Sequence, residues 1–395
     1  MLVAALPFLS LIFSSALASA MIVPFMGYYI VEGLGQQPWM ITVYTGFAAL
    51  LTVSMNRWIA KRLDTGSRFK PLLLVASISF LAATVAMVVD GQLASLLSVG
   101  LVGFGLSNTA MVIMFTYGRS FADGRGIEPN RFNAWLRATT SLAWMVGPAL
   151  SFGLVYQLGV SFVFQACMTL GIVWLVLVLR IVPAQEARDL ASNSEGSGGA
   201  DSGLDRQLWL ASMACFFFAV AHLLCSAALP LFYVQEAGLP SYAAGLSFSV
   251  KTAVEIVVIL NVPRLMVLAS ARHLLMANSL LAIVAFGVLS MVDSMPVMVI
   301  GASLEGLYYG LFAGVSGSFV QSFAGDRMGR ATSFYVNALF FGGLVAGPAV
   351  GLIAQFWDFR TSILLASVAA LAALLILAVM RPDPSPANPP AAQPG

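Results

Sequence analysis

The stretch Val146–Leu154, VGPALSFGL, returns two hundred residues later as Ala346–Ala354, AGPAVGLIA. Two further strings repeat at nearly the same offset. SFAD at 120–123 is echoed by SFAGD at 322–326, and EGLGQQP from Glu32 by EAGLP from Glu236. Echoes at near-constant offset are the mark of a duplicated unit. Here each copy is about half of the 395 residues.

Composition decides what kind of unit is duplicated. Hydrophobic residues make up 59% of the chain, charged residues 9%, and the mean hydropathy is +0.91. A soluble domain carries about 25% charged residues, so this chain has too few to coat a surface facing water. Runs of about 20 apolar residues are what a helix needs to cross hydrocarbon. Reading such runs between charged or turn-rich breaks predicts twelve spans: 4–31, 38–59, 70–89, 93–117, 131–156, 160–182, 207–234, 240–262, 273–292, 295–320, 331–355 and 359–380. The expected fold class is an all-α membrane protein with twelve transmembrane helices in two pseudo-symmetric six-helix halves.

The domain organisation follows. An N-terminal half covers 1–183, a Ser-, Gly- and acid-rich linker covers 184–205, and a C-terminal half covers 206–382. A Pro- and Ala-rich tail, 383–395, has the composition of a disordered segment. Of the 19 Lys and Arg residues, sixteen fall in alternate connections or the tail, and Arg360 alone lies in a connection on the other side. Basic residues collect on the cytoplasmic side, which places both termini and the linker there. ALASA at 16–20 mimics a leader-cleavage site, but the basic n-region of a signal peptide is missing, so the segment reads as the first span. Cys167, Cys215 and Cys225 all sit in apolar runs without metal-ligand or disulfide spacing.

Two cations and two carboxylates lie inside the spans. SVKTAVEIVVIL, Ser249–Leu260, carries Lys251 and Glu255 one helical turn apart in the eighth span. Arg137 lies in the fifth span and Glu305 in the tenth. Each costs about 2.5–3.5 kcal/mol at a helix centre on insertion scales, so all four are expected to face protein interior or a wet cavity. Burial favours the neutral form of a carboxyl and a nearby cation favours the charged form. A carboxylate passed between such surroundings takes up and releases protons, the role expected of Glu255 and Glu305. Arginine offers a planar five-donor fork that stays charged, so Arg137 is a candidate for binding hydroxyl pairs or a carboxylate. Lys251 is a candidate substrate ligand, or only the partner of Glu255; Lys before Glu at i,i+4 is the weaker helical orientation.

Further polar and aromatic candidates at matching depth are Asn108, Trp144, His222, Tyr308 and Asn337. For His222 a pH-responsive role and a packing role are both open. Gly147-Pro148 and Gly347-Pro348 each remove a backbone hydrogen bond, which suits helices that bend or reseal. Gly306, Gly310 and Gly314 repeat every four residues in the tenth span, where a neighbouring helix can approach closely. No P-loop, nucleophile elbow or HExxH zinc motif occurs. Catalysis and ATP-driven pumping by this chain are therefore not expected, nor are a metal, a cofactor or a nucleic-acid partner.

The twelve-span plan with Gly-Pro motifs in spans five and eleven resembles the major facilitator superfamily. Within it, SNTAMVIMF and GRSFAD around span four, LRATTSLAWMVGPALSF in span five, and EAGLPSYAAG leading into span eight with AVEI inside it are similar to the bacterial sugar efflux transporter family. Asn108, Trp144 and Glu255 lie in these strings. Lys61 stands where the superfamily's loop between spans two and three usually carries aspartate, and Lys251 and Glu305 are charges the resemblance does not supply. The resemblance implies a monomeric secondary transporter of the bacterial cytoplasmic membrane, moving sugars or small glycosides out in exchange for protons. A proton-coupled exporter of drugs or amphiphilic metabolites is the alternative, followed by an uptake symporter and, last, a membrane enzyme or receptor.

Overall fold

The computed structural model describes residues 2–64, 68–124, 126–183, 206–323 and 328–380. The linker 184–205 and the tail 383–395 lie outside the described residues. Among the described residues, twelve helices are long and apolar enough to cross a membrane. They are α1 Ala5–Gly33, α2 Trp39–Ile59, α3 Phe69–Val89, α4 Leu93–Gly118, α5 Trp135–Leu158 and α6 Val160–Ile181 in the first half. The second half holds α7 Arg206–Glu236, α8 Tyr242–Leu268, α9 Ala271–Ser290, α10 Met295–Gln321, α11 Gly329–Phe356 and α12 Phe359–Val379.

The apolar runs become helices because only a helix satisfies every backbone group within one segment in hydrocarbon. Apolar side chains remain outside: Val89, Val267 and Leu268 are each at least 80% exposed, as a surface solvated by lipid tails allows. The eighth helix is longer than its apolar run predicts. It continues past Pro263 to Leu268, and the Arg264 guanidinium donates to Asn261 Oδ1 at 3.0 Å within its last turns. Pro263 forgoes the backbone bond to the carbonyl four residues before it, and the helix continues for five more residues.

The duplication is visible in the packing. In the first half α1 packs on α5 and α6, α3 on α4 and α6, and α2 on α4; in the second α7 packs on α11 and α12, α9 on α10 and α12, and α8 on α10. The echo of EGLGQQP and EAGLP also gains a physical reason. Both α1 and α7 end in a π-helical turn, Tyr29–Gly33 and Phe232–Glu236, and both following turns use a glycine in the left-handed region, Gly35 at φ 61° and Gly238 at φ 66°. A side chain at φ near +60° is strained, so glycine stands at both positions.

The halves meet along two helix pairs, α2 with α11 and α5 with α8, with a smaller contact between Phe25–Tyr28 of α1 and α7. Inside the second half, α8 and α10 are drawn together by three glycines. A Cβ at Gly306 would fall onto the Lys251 carbonyl, one at Gly310 would lie 3.0 Å from the Glu255 carbonyl, and one at Gly314 would press on Val262. The glycine run thus sets how close Lys251 and Glu255 come to α10. Gly306→Val is expected to destabilise the protein by about 1–3 kcal/mol through overpacking. A lower thermal midpoint in detergent would show it; a midpoint equal to that of the parent protein would contradict it.

Candidate functional site

The glycine-tight seam between α8 and α10 builds the site from the backbone outward. Lys251 and Glu255 of α8 form an i,i+4 ion pair, Nζ to Oε2 at 3.7 Å. Lys251 is buried at 6% exposure, whereas Glu255 is half-buried. The Lys251 ammonium also sits 4.3 Å from the ring centre of Tyr309 on α10. A desolvated cation–π contact of this kind is worth about 2 kcal/mol.

Behind Tyr309 lies a second pair. His222 of α7 stacks on the Tyr309 ring, with centroids 3.9 Å apart and planes at 27°. Its Nδ1 is 3.5 Å from Glu305 Oε1, and Ser226 Oγ, one turn further along α7, donates to that same carboxylate oxygen at 3.2 Å. Glu305 is 1% exposed and His222 8%. Four of the expected residues, His222, Lys251, Glu255 and Glu305, therefore converge in one cluster wholly within the second half. Ser226 and Tyr309, which sequence reading passed over, complete it. A single serine in an apolar stretch carries no mark of its partner. Tyr309 was hidden beside Tyr308.

Those two neighbours separate because consecutive helical residues point about 100° apart. Tyr308, expected to line the site, is instead fully buried among α7, α9 and α10. Its hydroxyl donates to the Phe218 carbonyl at 2.9 Å and its ring meets Phe286 edge-on at 5.3 Å. Tyr309 turns to His222 and Lys251.

Arg137 stands apart from the carboxylates, so the four charges do not form the single facing set that their depths imply. Arg137 and Trp144 are two turns apart on one face of α5 and both are exposed. The Arg137 charge acts on Tyr335 of α11, whose hydroxyl accepts from Ser316 Oγ at 3.1 Å. Among the described residues no carboxylate pairs with Arg137. Asn108 is half-buried where α4 breaks between its helical stretches Leu101–Ser107 and Thr109–Asp123, and accepts a long hydrogen bond from Ser19 of α1 at 3.5 Å. Asn337 is exposed on α11. An apolar groove of about 460 Å³ between α5 and α8, lined by Val146, Leu150, Val250 and Ala253 among others, holds none of the charged residues.

The Gly-Pro motifs lie within continuous helices, and they form the contact between the halves. Thr42 Oγ1 of α2 donates to the Pro348 carbonyl at 2.6 Å. Ser249 Oγ of α8 donates to the Met145 carbonyl at 2.9 Å, three residues before Pro148. Gly245 of α8 presses so closely that a Cβ there would lie 2.8 Å from the Pro148 carbonyl oxygen, and one at Gly351 would lie 2.5 Å from Thr42 Oγ1. Nearer the helix ends, Gln235 donates to Glu32 at 2.6 Å, the Trp39 amide donates to Gln355 at 3.3 Å, and the rings of Tyr156 and Tyr242 meet at 4.8 Å. All these bridges lie from mid-helix to the end of the bundle opposite the chain termini. The duplicated glutamates have diverged there: Glu236 accepts from the Phe359 and Arg360 amides and caps α12, while Glu32 reaches across to the other half.

The chain matches the profile of the Major Facilitator Superfamily over residues 8–311 and again over 270–394. It belongs to that superfamily. This major facilitator is therefore a multi-pass membrane transporter, not an enzyme. It is similar to sugar efflux transporter A of Escherichia coli, with 24% identity over 95% of each chain, and to sugar efflux transporter B of Salmonella typhimurium, with 25% identity over 94% of each. Among solved structures, the nucleoside transporter NupG shares its fold with a TM-score of 0.78, covering 95% of this chain and 98% of that one at 14% identity. In this major facilitator the ionisable cluster occupies one half and the sealed interface the far end.

Proposed function

We propose that this protein exports sugars or small glycosides across the bacterial inner membrane in exchange for protons, by alternating access between its halves. The observation that carries the reading is the pairing of Lys251 with a half-buried Glu255, backed by the drier His222–Glu305 pair. Ionisable residues at membrane depth line ion and proton pathways, and sites between duplicated halves are where such proteins hold their substrates. The names of the relatives supply the substrate class. The distribution of basic residues puts the termini in the cytoplasm. On that orientation the sealed end faces outward and the cluster loads from inside, the state from which an exporter starts. Glu255 takes or gives the proton, Glu305 senses it, and Arg137 with Trp144 and Asn108 offers donors and an aromatic face to the solute.

The exposed Arg137, with no carboxylate partner among the described residues, favours a second reading in which the exported solute is an organic acid. One experiment separates the two. Purified protein in proteoliposomes is given a pH gradient and a panel of labelled neutral sugars, glycosides and sugar acids, and internal pH is followed with solute. The proposal expects neutral sugars to be driven against their concentration by protons moving the other way. Movement of acids alone supports the second reading. If no solute in the panel moves with or against protons, exchange is rejected.

A further inference from the structure

The cluster contains two acid–base pairs, and a single side chain touches both. Tyr309 carries the Lys251 ammonium at 4.3 Å from its ring centre and the His222 ring at 3.9 Å. Lys251 is bound to Glu255 and His222 to Glu305. Glu255, Glu305 and Tyr335 also act electrostatically on Tyr309, and the Lys251 charge reaches both Glu305 and His222. Glu255 and Glu305 also act on each other directly, and Cys225 on α7 lies buried in the field of Lys251 and Glu305, but the Tyr309 ring is the side chain that meets a member of each pair face-on.

We infer that the Tyr309 ring is the positioning residue that couples the two pairs: it holds Lys251 where a proton gained by Glu255 is felt by His222 and Glu305. This rests on the proton-exchange reading above. When Glu255 is neutralised, Lys251 loses its carboxylate. A flexible ammonium on a four-carbon stem would then swing away, but the ring face retains it beside the buried pair. The drier pair thereby responds to the state of the half-buried one. A ring is needed for this and the phenol hydroxyl is not.

The test compares Tyr309→Met and Tyr309→Phe with the parent protein in proteoliposomes, reading protons moved per solute and the pH profile of solute exchange. Y309F should keep both. Y309M should lose at least about fivefold in protons moved per solute, the low end of coupling between linked sites, with exchange still measurable. Y309M with the parental ratio and profile overturns the inference, as does Y309F failing like Y309M. A second measurement does not depend on how Y309M folds. With Tyr309 intact, Glu255→Gln should move the pH midpoint of exchange by roughly one unit, a tenfold change in proton affinity; an unmoved midpoint overturns the inference too. Should the parent protein itself move no protons with any solute, the exchange reading has failed; coupling in the parent that Y309M retains defeats only the role of Tyr309.

Discussion

Gly245→Leu is expected to hold the bundle open at the end that is sealed here, and to stop transport while leaving the protein folded. A Cβ at Gly245 would lie 2.8 Å from both the Pro148 carbonyl oxygen and the Ala149 Cα, and 3.2 Å from Phe152 Cβ. Two of these three neighbours are backbone atoms of the other half, which give way only if α5 and α8 separate. Overpacking of this kind costs about 3 kcal/mol, and each 1.4 kcal/mol is about a tenfold change in population. The sealed form should thus lose about a hundredfold against the form open at this end, where the glycine no longer faces α5. A cysteine introduced at Gln355 would report it, becoming reactive to a membrane-impermeant maleimide in the Gly245→Leu background. Gly287→Leu is the control, because nothing lies within 4 Å of a Cβ there. Equal labelling in parent, control and Gly245→Leu, with transport intact, would remove the seal from the mechanism.

Glu255→Gln should have the largest effect on coupling. The amide keeps the shape of the side chain beside Lys251 but carries no exchangeable charge. Gradient-driven accumulation is expected to fall by about two orders of magnitude, the scale on which linked sites lose their coupling. Solute-for-solute exchange needs no net proton movement and should remain measurable. The check is a paired measurement in one preparation of proteoliposomes, accumulation under a pH gradient beside counterflow without one. Equal loss of both would mean that Glu255 serves the fold or the binding of solute and not the proton. Accumulation at the parental level would mean that the proton is carried elsewhere, with the His222–Glu305 pair as the next group to change.

Much of the architecture was legible along the chain because membranes impose a simple rule. A helix that crosses hydrocarbon must be apolar for its whole length, so the spans announce themselves without knowledge of their neighbours. Boundaries shifted by a few residues, most at the end of α8, which continues past Pro263. Lys251, Glu255, Glu305 and His222 were also legible, since a charged or titratable residue at that depth stands out against the lipid. Their grouping was not. Depth along a helix is readable from residue number, but the direction around the helix axis is set by which neighbours pack where. Depth alone therefore put Arg137 with the carboxylates, and it preferred Tyr308 to Tyr309.

The sequence by itself determined the class, the twelve spans, the duplication and the residues costly enough to need a reason for being there. These are properties of composition and of position along one dimension. Only the tertiary structure decided that the glycine run of α10 draws in the α8 backbone at Lys251 and Glu255 and that Lys251 sits on the Tyr309 ring, that His222 belongs to Glu305, and that the Gly-Pro motifs meet the opposite half at the sealed end. Each depends on how two helices are turned about their axes and how closely they approach. Packing between side chains far apart in the chain sets those rotations, and no local signal in either helix records them.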